Sequence, residues 1–465
     1  MNILDMLVKY VVETSYEDLP VDVIEATKKQ VLDTLAAAIG GSKCSVSNEL
    51  ERLVDMVKDW GGKEESSILA FGGRVPAPNA AFVNGILCVR LDFDDTFAVM
   101  VRNHPSRSVV PVAFAMAERQ GKVNGKQLIT ALALGHDLEC RMKLAVGPDV
   151  ESPFGFTTNF IGAAATAGKL LRLNEDKLRS ALGITFHQIS GAKGGMGTAG
   201  AGASLKGLNN GIAAKSGVIS ALLAENGFTS NWDFLDYNNK NNFYQVFYNG
   251  LYWPSMIVLD LGKVFMCTKT SLKEFPCCHG QHPVLELVLA LVRKYHIKPE
   301  DVEKVQLDIS PVDFLLLADP IEKKQNPGNN IEAQFSLCWG VASAIIYGEV
   351  EIRNFTKEAL RNTKIREIAH KVYARPDIAL AGPIHTQCVV KIWTKNNTSY
   401  EIKSERAPLG SPDNPMSFSD IEAKFRQCCE YSVKPISEEN QNTIINMVAG
   451  LEDVSDVGQI VQLQA

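Results

Sequence analysis

Helical spacing dominates residues 1–265, and the segments that carry it are rich in Ala and Gly. Apolar residues at i, i+3, i+4 and i+7 define amphipathic helices. Small side chains let the axes of such helices approach closely. Val23–Ile39 places Val23, Ala26, Val31, Leu32, Leu35, Ala36 and Ile39 on one broad stripe, with Gly40-Gly41 read as a stop. Residues 79–90, 109–119, 125–144, 162–173 and 211–226 continue the theme. A region built this way predicts a multi-helix core, not a sandwich or a barrel.

The pattern changes near Phe265. Val302–Ile309 alternates apolar and polar residues, the period of a half-buried strand. Gln387–Thr394 and Thr398–Lys403 read the same way, joined by the turn residues Lys395-Asn396-Asn397. Residues 282–295, 333–347 and 357–371 read as helices. This mixture predicts an α+β domain over residues 269–405. Beyond a loop rich in Pro and Gly at 408–415, helical spacing returns at 420–429 and 438–451. The expected fold class is therefore mainly α with an α+β second domain. Residues 1–268 and 406–465 form the helical part, and 269–405 is an insertion.

Composition narrows the function classes. Lys plus Arg is 47 and Asp plus Glu is 53, a net charge of −6, which offers no basic footprint for nucleic acid. Ten cysteines in 465 residues are too few for a disulfide scaffold. The most apolar run, Val284–Val292, is broken by Glu286 and falls short of the roughly 20 residues that span a bilayer. Ile3, Leu4, Leu7, Val8, Val11 and Val12 recur at helical spacing, unlike the core of a secretory leader. The expectation is a soluble, reduced, cytoplasmic protein with no membrane partner.

Three clusters could carry chemistry. The first is Asp92-Phe93-Asp94-Asp95-Thr96, followed by His104-Pro105-Ser106. Three carboxylates in four residues repel unless a cation or metal faces them. Arg102, His104 and Arg107 are near in sequence. Either Asp92 and His104 form an acid/base pair, or the acids are solvated and Pro105 opens the next helix at its first position. Desolvation by the preceding apolar helix would raise the Asp92 carboxyl towards the working range.

The second cluster is Gly191–Gly202, with six glycines in twelve residues, then Lys206. Gly195–Gly200 fits G-x-G-x-x-G, but no strand precedes it. A flexible loop beside an anion-holding Lys206 is the reading, against a solvated surface lysine. The third cluster is Lys273-Glu274-Phe275-Pro276-Cys277-Cys278-His279, with His282-Pro283 after it. Adjacent cysteines make a poor zinc half-site, so no metal is expected. Lys273 suits carboxylate recognition and His282 proton transfer.

These residues together resemble the MmgE/PrpD family, which includes 2-methylcitrate dehydratase, cis-aconitate decarboxylase and iminodisuccinate epimerase. The likeness runs in order through D-F-D-D-T (92–96), H-P-S (104–106) and G-A-S-L-K-G-L-N-N-G (202–211). It continues through K-E-F-P-C-C (273–278), E-A-Q-F-S-L (332–337) and G-S-P-D-N-P-M-S (410–417). It implies a large all-helical domain from both chain ends, a smaller α+β lid, a homodimer, and a site between the domains that needs no cofactor. Asp92, Thr96, His104 and Lys206 match the family's functional positions, and Lys273 and His282 fall in its matching lid segment.

Two positions depart. Thr157 in Phe156-Thr157-Thr158, and Asn209 in Lys206-Gly207-Leu208-Asn209, stand where many members carry histidine. Both can hydrogen-bond, but neither shuttles protons near neutral pH. The expected activity is a hydro-lyase on a small di- or tricarboxylate. Lys206, Lys273, Arg107, Thr96, Thr157 and Asn209 would bind the substrate. Asp92, His104 and His282 would move the proton. An epimerase or isomerase, a decarboxylase, and a non-catalytic carboxylate binder remain as alternatives.

Overall fold

The computed structural model describes residues 2–98, 102–147, 152–191, 205–230, 232–382 and 387–464. The protein is mainly helical, with a smaller α+β region towards the C-terminus. The glycine-rich stretch beyond Gly191 lies outside the described residues up to position 204. Among the described residues no helix is long and apolar enough to cross a membrane.

One apolar core joins side chains from Leu4 to Leu272 with Ile352 and others from Met416 to Val461, so both chain ends pack together. A second core runs from Phe275 to Ile392. It sits on a four-stranded sheet ordered Val372–Pro376, Val302–Ile309, Val389–Thr394, Ser399–Lys403. The first pair is parallel and the others are antiparallel. Val305 opposes Ile392 and Leu307 opposes Val390, so the alternation seen in the sequence faces one core. Helix His282–Tyr295 packs against this sheet and against helix Leu337–Tyr347.

Gly40-Gly41 are the last two residues of their helix, which runs Val21–Gly41, so the stop falls at the pair and not before it. The pair is also a contact surface. A Cβ on Gly41 would lie 2.2 Å from the Leu87 carbonyl, and one on Gly40 would lie 2.7 Å from Leu91 Cδ1. This approach seats the stretch that leads into the acidic cluster. A similar contact joins helices Ala77–Leu87 and Leu208–Glu225, where a Cβ on Gly211 would meet the Phe82 carbonyl at 2.5 Å. Lys206 precedes the second helix by one turn residue, Gly207, at φ 92°. Close helix packing thus brings Lys206 up to the end of the first helix.

Other local expectations change. Pro105 is the N-cap of helix Ser106–Gln120, not its first residue. Residues 333–347 do not form one helix. Asn330–Gln334 and Leu337–Tyr347 are separated by Phe335 and Ser336, because the Ser336 hydroxyl accepts from Trp339 N–H and starts a new helix. Residues 357–371 shrink to helix Thr363–Ala369, capped by Asn362. Strand Val372–Pro376 is absent from the sequence reading. Its largely exposed edge position gives no clean alternation to detect.

The Gly211 contact predicts a stability defect. Gly211→Ala should lower unfolding stability by about 1–3 kcal/mol, the usual cost of overpacking. Gly382→Ala, with no atom within 4 Å of the added methyl, should stay within about 0.5 kcal/mol of the parent. Urea denaturation of both variants reads this directly, and equal stabilities would contradict the packing argument.

Candidate active site

The loop after helix Ala77–Leu87 turns sharply at Asp92, whose φ of 54° lies in the left-handed region. Asp tolerates that conformation better than most residues. The turn aims the carboxylate inward, where Lys206 Nζ lies 2.8 Å from Oδ1 and Lys273 Nζ lies 3.0 Å from Oδ2. Lys273 Nζ also donates to the Asp92 carbonyl at 2.6 Å. Asp94 sits on the other side of Lys273 at 3.9 Å and 3.3 Å from Arg107 Nη1. Residues from three distant chain segments therefore meet at one carboxylate.

His104 joins them from the start of helix Ser106–Gln120. Its Nδ1 lies 2.6 Å from the Asp95 carbonyl, 3.4 Å from Asp94 Oδ2 and 3.4 Å from Thr96 Oγ1. A carbonyl only accepts, so Nδ1 carries the hydrogen and Nε2 keeps a lone pair. Thr96 is held by strand pairing of Thr96–Phe97 with Thr270–Ser271. That pairing also ties the acidic loop to the segment carrying Lys273. The Phe156 ring sits between these groups, edge-on to His104 at 5.4 Å and under the Arg107 guanidinium at 4.2 Å.

Electrostatics correct one expectation. Burial alone would lift the Asp92 carboxyl, but Lys206 and Lys273 overrule it and hold Asp92 below the ordinary carboxylate range. Asp92 is thus an ionised anchor and not a raised acid. Asp94 is also held down, as the cations Lys273 and Arg107 outweigh burial. Asp95 is the acid that rises, to about 7, because burial outweighs its bonds from Ser106 N–H and Oγ. Burial, with Arg107 and Lys273 adding to it, pushes His104 down to about 3. His104 is therefore a neutral base near pH 7. With Lys206 protonated, Lys206, Lys273 and Arg107 set three positive charges against the two ionised carboxylates of Asp92 and Asp94, although burial pushes the Lys206 ammonium below its ordinary range against the pull of Asp92.

Side-chain exposure orders the cluster from floor to mouth. Asp94 and Lys273 are 1% exposed, Asp92 10%, Lys206 13% and His104 17%. Lys206 and His104 are the members that an entering molecule can reach first.

Asp92 contacts Lys206 and Lys273, and Asp94 links Lys273 to Arg107 and to His104, which in turn reaches Thr96. Three other sequence candidates do not join that contact set among the described residues. Thr157 Oγ1 is turned to the Tyr248 hydroxyl at 2.8 Å. Asn209 Nδ2 donates to the Ser190 carbonyl at 2.8 Å. His282 is fully buried beside Phe275 and His279, and burial, with Lys273 near it, pushes its pKa down to about 3.

Two supports were missed in the sequence. Buried Lys424 donates to Asp33 Oδ1 at 2.6 Å, the Phe93 carbonyl at 2.6 Å and the Lys273 carbonyl at 3.1 Å. It thereby clamps the acidic loop to the Lys273 segment. The available signal was a lysine on the apolar stripe Ile421, Lys424, Phe425, Cys428 of helix Phe418–Glu430. Gln334 is the other: its Oε1 accepts from Lys206 Nζ at 3.1 Å.

Asp95 supplies a pH prediction. Its folded pKa of about 7 lies above the ordinary 3.8. Between those values the folded state holds a proton that the unfolded state has lost, so this group's contribution to stability falls as pH rises. Asp95→Asn removes that loss. It should gain stability relative to the parent at pH 8 compared with pH 4, as read by chemical denaturation. A pH-independent difference would remove the raised acid from the account.

Sequence comparisons bear on this geometry. The chain matches the MmgE/PrpD N-terminal domain over residues 5–254 and the MmgE/PrpD C-terminal domain over residues 275–452. It is 27% identical to human cis-aconitate decarboxylase, over 95% of this chain and 90% of that protein. It is 25% identical to a cis-aconitate decarboxylase-like protein, oryM, of Aspergillus oryzae, over 99% and 97%. Identity to the cis-aconitate decarboxylase of Aspergillus terreus is 24%, over 96% and 92%.

Proposed function

This chain belongs to the MmgE/PrpD family, and from that premise we propose that it is a lyase acting on a small tricarboxylate. The observation that carries the reading is the surplus positive charge at Lys206, Lys273 and Arg107 beside the neutral base His104. In this reading Lys206 and Arg107 bind substrate carboxylates, and Lys273 stabilises negative charge from the floor of the site. Asp92 holds both lysines in place.

Decarboxylation of a cis-aconitate-like substrate is the first reaction to test, because relatives that match nearly the whole chain carry that name. The bond from carbon to the departing carboxylate breaks, and its electron pair spreads over the alkene and a remaining carboxylate held by the cations. A proton delivered to carbon completes the product. A hydro-lyase is the second reading, favoured by the lone pair on His104 Nε2. That nitrogen would abstract a proton next to a carboxylate as hydroxide leaves. Thr157, Asn209 and His282 are assigned to the rim or support of the site.

The domain division at residues 269 and 405 is part of this proposal, supported by the two separate apolar cores. So is a homodimer, supported by exposed apolar side chains at Phe228, Tyr237, Leu251 and Trp253.

Incubation with cis-aconitate, citrate and 2-methylcitrate tests the reading. Released CO₂ marks the first reaction, and new alkene absorbance from a hydroxy acid marks the second. His104→Ala should cut kcat by roughly 10²–10⁴, the usual size of acid–base catalysis. Lys206→Ala should weaken substrate binding by roughly 1.5–3 kcal/mol, the worth of a charge-assisted hydrogen bond. No turnover and no solvent deuterium exchange with any of these acids would refute the lyase.

A further inference from the structure

A cleft of about 870 Å³ runs between the two parts of the chain, within the size range of small-ligand sites. Its walls include Cys44, Leu91 and Tyr431 from the helical part and Arg353 and Lys357 from the α+β part. Gln334 also lines it, although that residue is only 1% exposed, so it lies at the floor. Gln334 touches both the cleft and the charged cluster. We propose that the Gln334 amide occupies, on Lys206, the place that a substrate carboxylate takes, and that the cleft holds the rest of the di- or tricarboxylate. This rests on reading the Asp92–Lys206–Lys273 centre as a carboxylate site.

The geometry separates what is fixed from what can be exchanged. The Gln334 main chain is anchored: its carbonyl accepts from Cys278 N–H at 3.0 Å and from Gln281 Nε2 at 2.6 Å. The side chain is held less tightly. Oε1 accepts from Lys206 Nζ at 3.1 Å, and Nε2 donates to the Arg90 carbonyl at 3.3 Å. Lys206 has a shorter bond to Asp92, at 2.8 Å. The Phe335 ring covers the same ammonium at 5.0 Å.

An ammonium offers three donors. The ionised Asp92 holds one strongly, and the neutral amide holds another weakly. An arriving carboxylate would exchange a neutral acceptor for an ionised one, and charge-assisted bonds are roughly twice as strong. Displacing Asp92 instead would strand a buried charge beside Lys273, which is costly. The amide is therefore the partner that yields. Gln334 is the last residue of helix Asn330–Gln334, just before the break at Phe335-Ser336.

Calorimetric titration of the full chain with tricarballylate, a saturated tricarboxylate, tests the proposal. Gln334→Glu places a fixed carboxylate against Lys206 and should weaken binding at least tenfold. Gln334→Met removes the acceptor with little change of volume and should bind as tightly as the parent or more tightly. Gln459→Glu adds the same charge at an exposed helical position outside the cleft and should change affinity less than threefold. Weakening by Gln334→Met as severe as by Gln334→Glu overturns the proposal in favour of a purely structural glutamine. Equal effects of Gln334→Glu and Gln459→Glu overturn it in favour of general repulsion. If Gln334→Glu fails to fold, by circular dichroism, Gln334→Met decides alone: retained or tighter binding supports the proposal, and weakened binding overturns it. A parent that shows the expected pattern yet turns over no polycarboxylate upholds this inference and removes the lyase. A parent that binds no tricarballylate overturns both.

Discussion

Two lysines close on one carboxylate from opposite sides, and much of the surrounding structure follows from that contact. Lys206 and Lys273 reach the two oxygens of Asp92 at 2.8 and 3.0 Å. A buried ion pair is favourable only when its geometry is good and its remaining hydrogen-bonding groups are satisfied. Three segments meet that demand together. The left-handed turn at Asp92 aims the carboxylate, the Gly211 contact sets Lys206, and Lys424 ties the loop to the Lys273 segment. Close helix packing is thus the means by which the charges are held in register.

The consequence for chemistry is a division of roles by environment. Asp92 and Asp94 stay ionised because cations outweigh burial. Asp95 rises and His104 falls because burial wins for both. The result is a net positive pocket with a neutral imidazole at its mouth. Such a pocket attracts carboxylates and offers a base where they would arrive. The chemistry shared by the family's reactions, proton movement beside a carboxylate, needs these two properties and does not by itself select the leaving group.

Much of this was legible in the sequence, and the failures have physical causes. Helix 125–144 and strand 302–309 were placed at their observed limits, because long periodic segments announce themselves. The break at Ser336 was hidden, since a capping serine inside an apolar run leaves the periodicity intact on both sides. Gly40-Gly41 was read as the helix end, where it falls, but a sequence does not say which backbone will press against a missing side chain. The acidic cluster was found as a pattern, but its charge state was misread. Desolvation by the preceding helix was visible, while the two lysines that overrule it come from residues 114 and 181 positions further along the chain.

The central claim is that Asp92 is an ionised anchor for two lysines and not a proton carrier. Carboxyl-¹³C NMR of aspartate-labelled protein tests it most directly, with the Asp92 resonance assigned by its loss in Asp92→Asn. The account predicts an ionised chemical shift that stays constant from pH 8 down to the onset of acid unfolding. A resonance that titrates between pH 4 and 7 would contradict it and return Asp92 to the role of an acid.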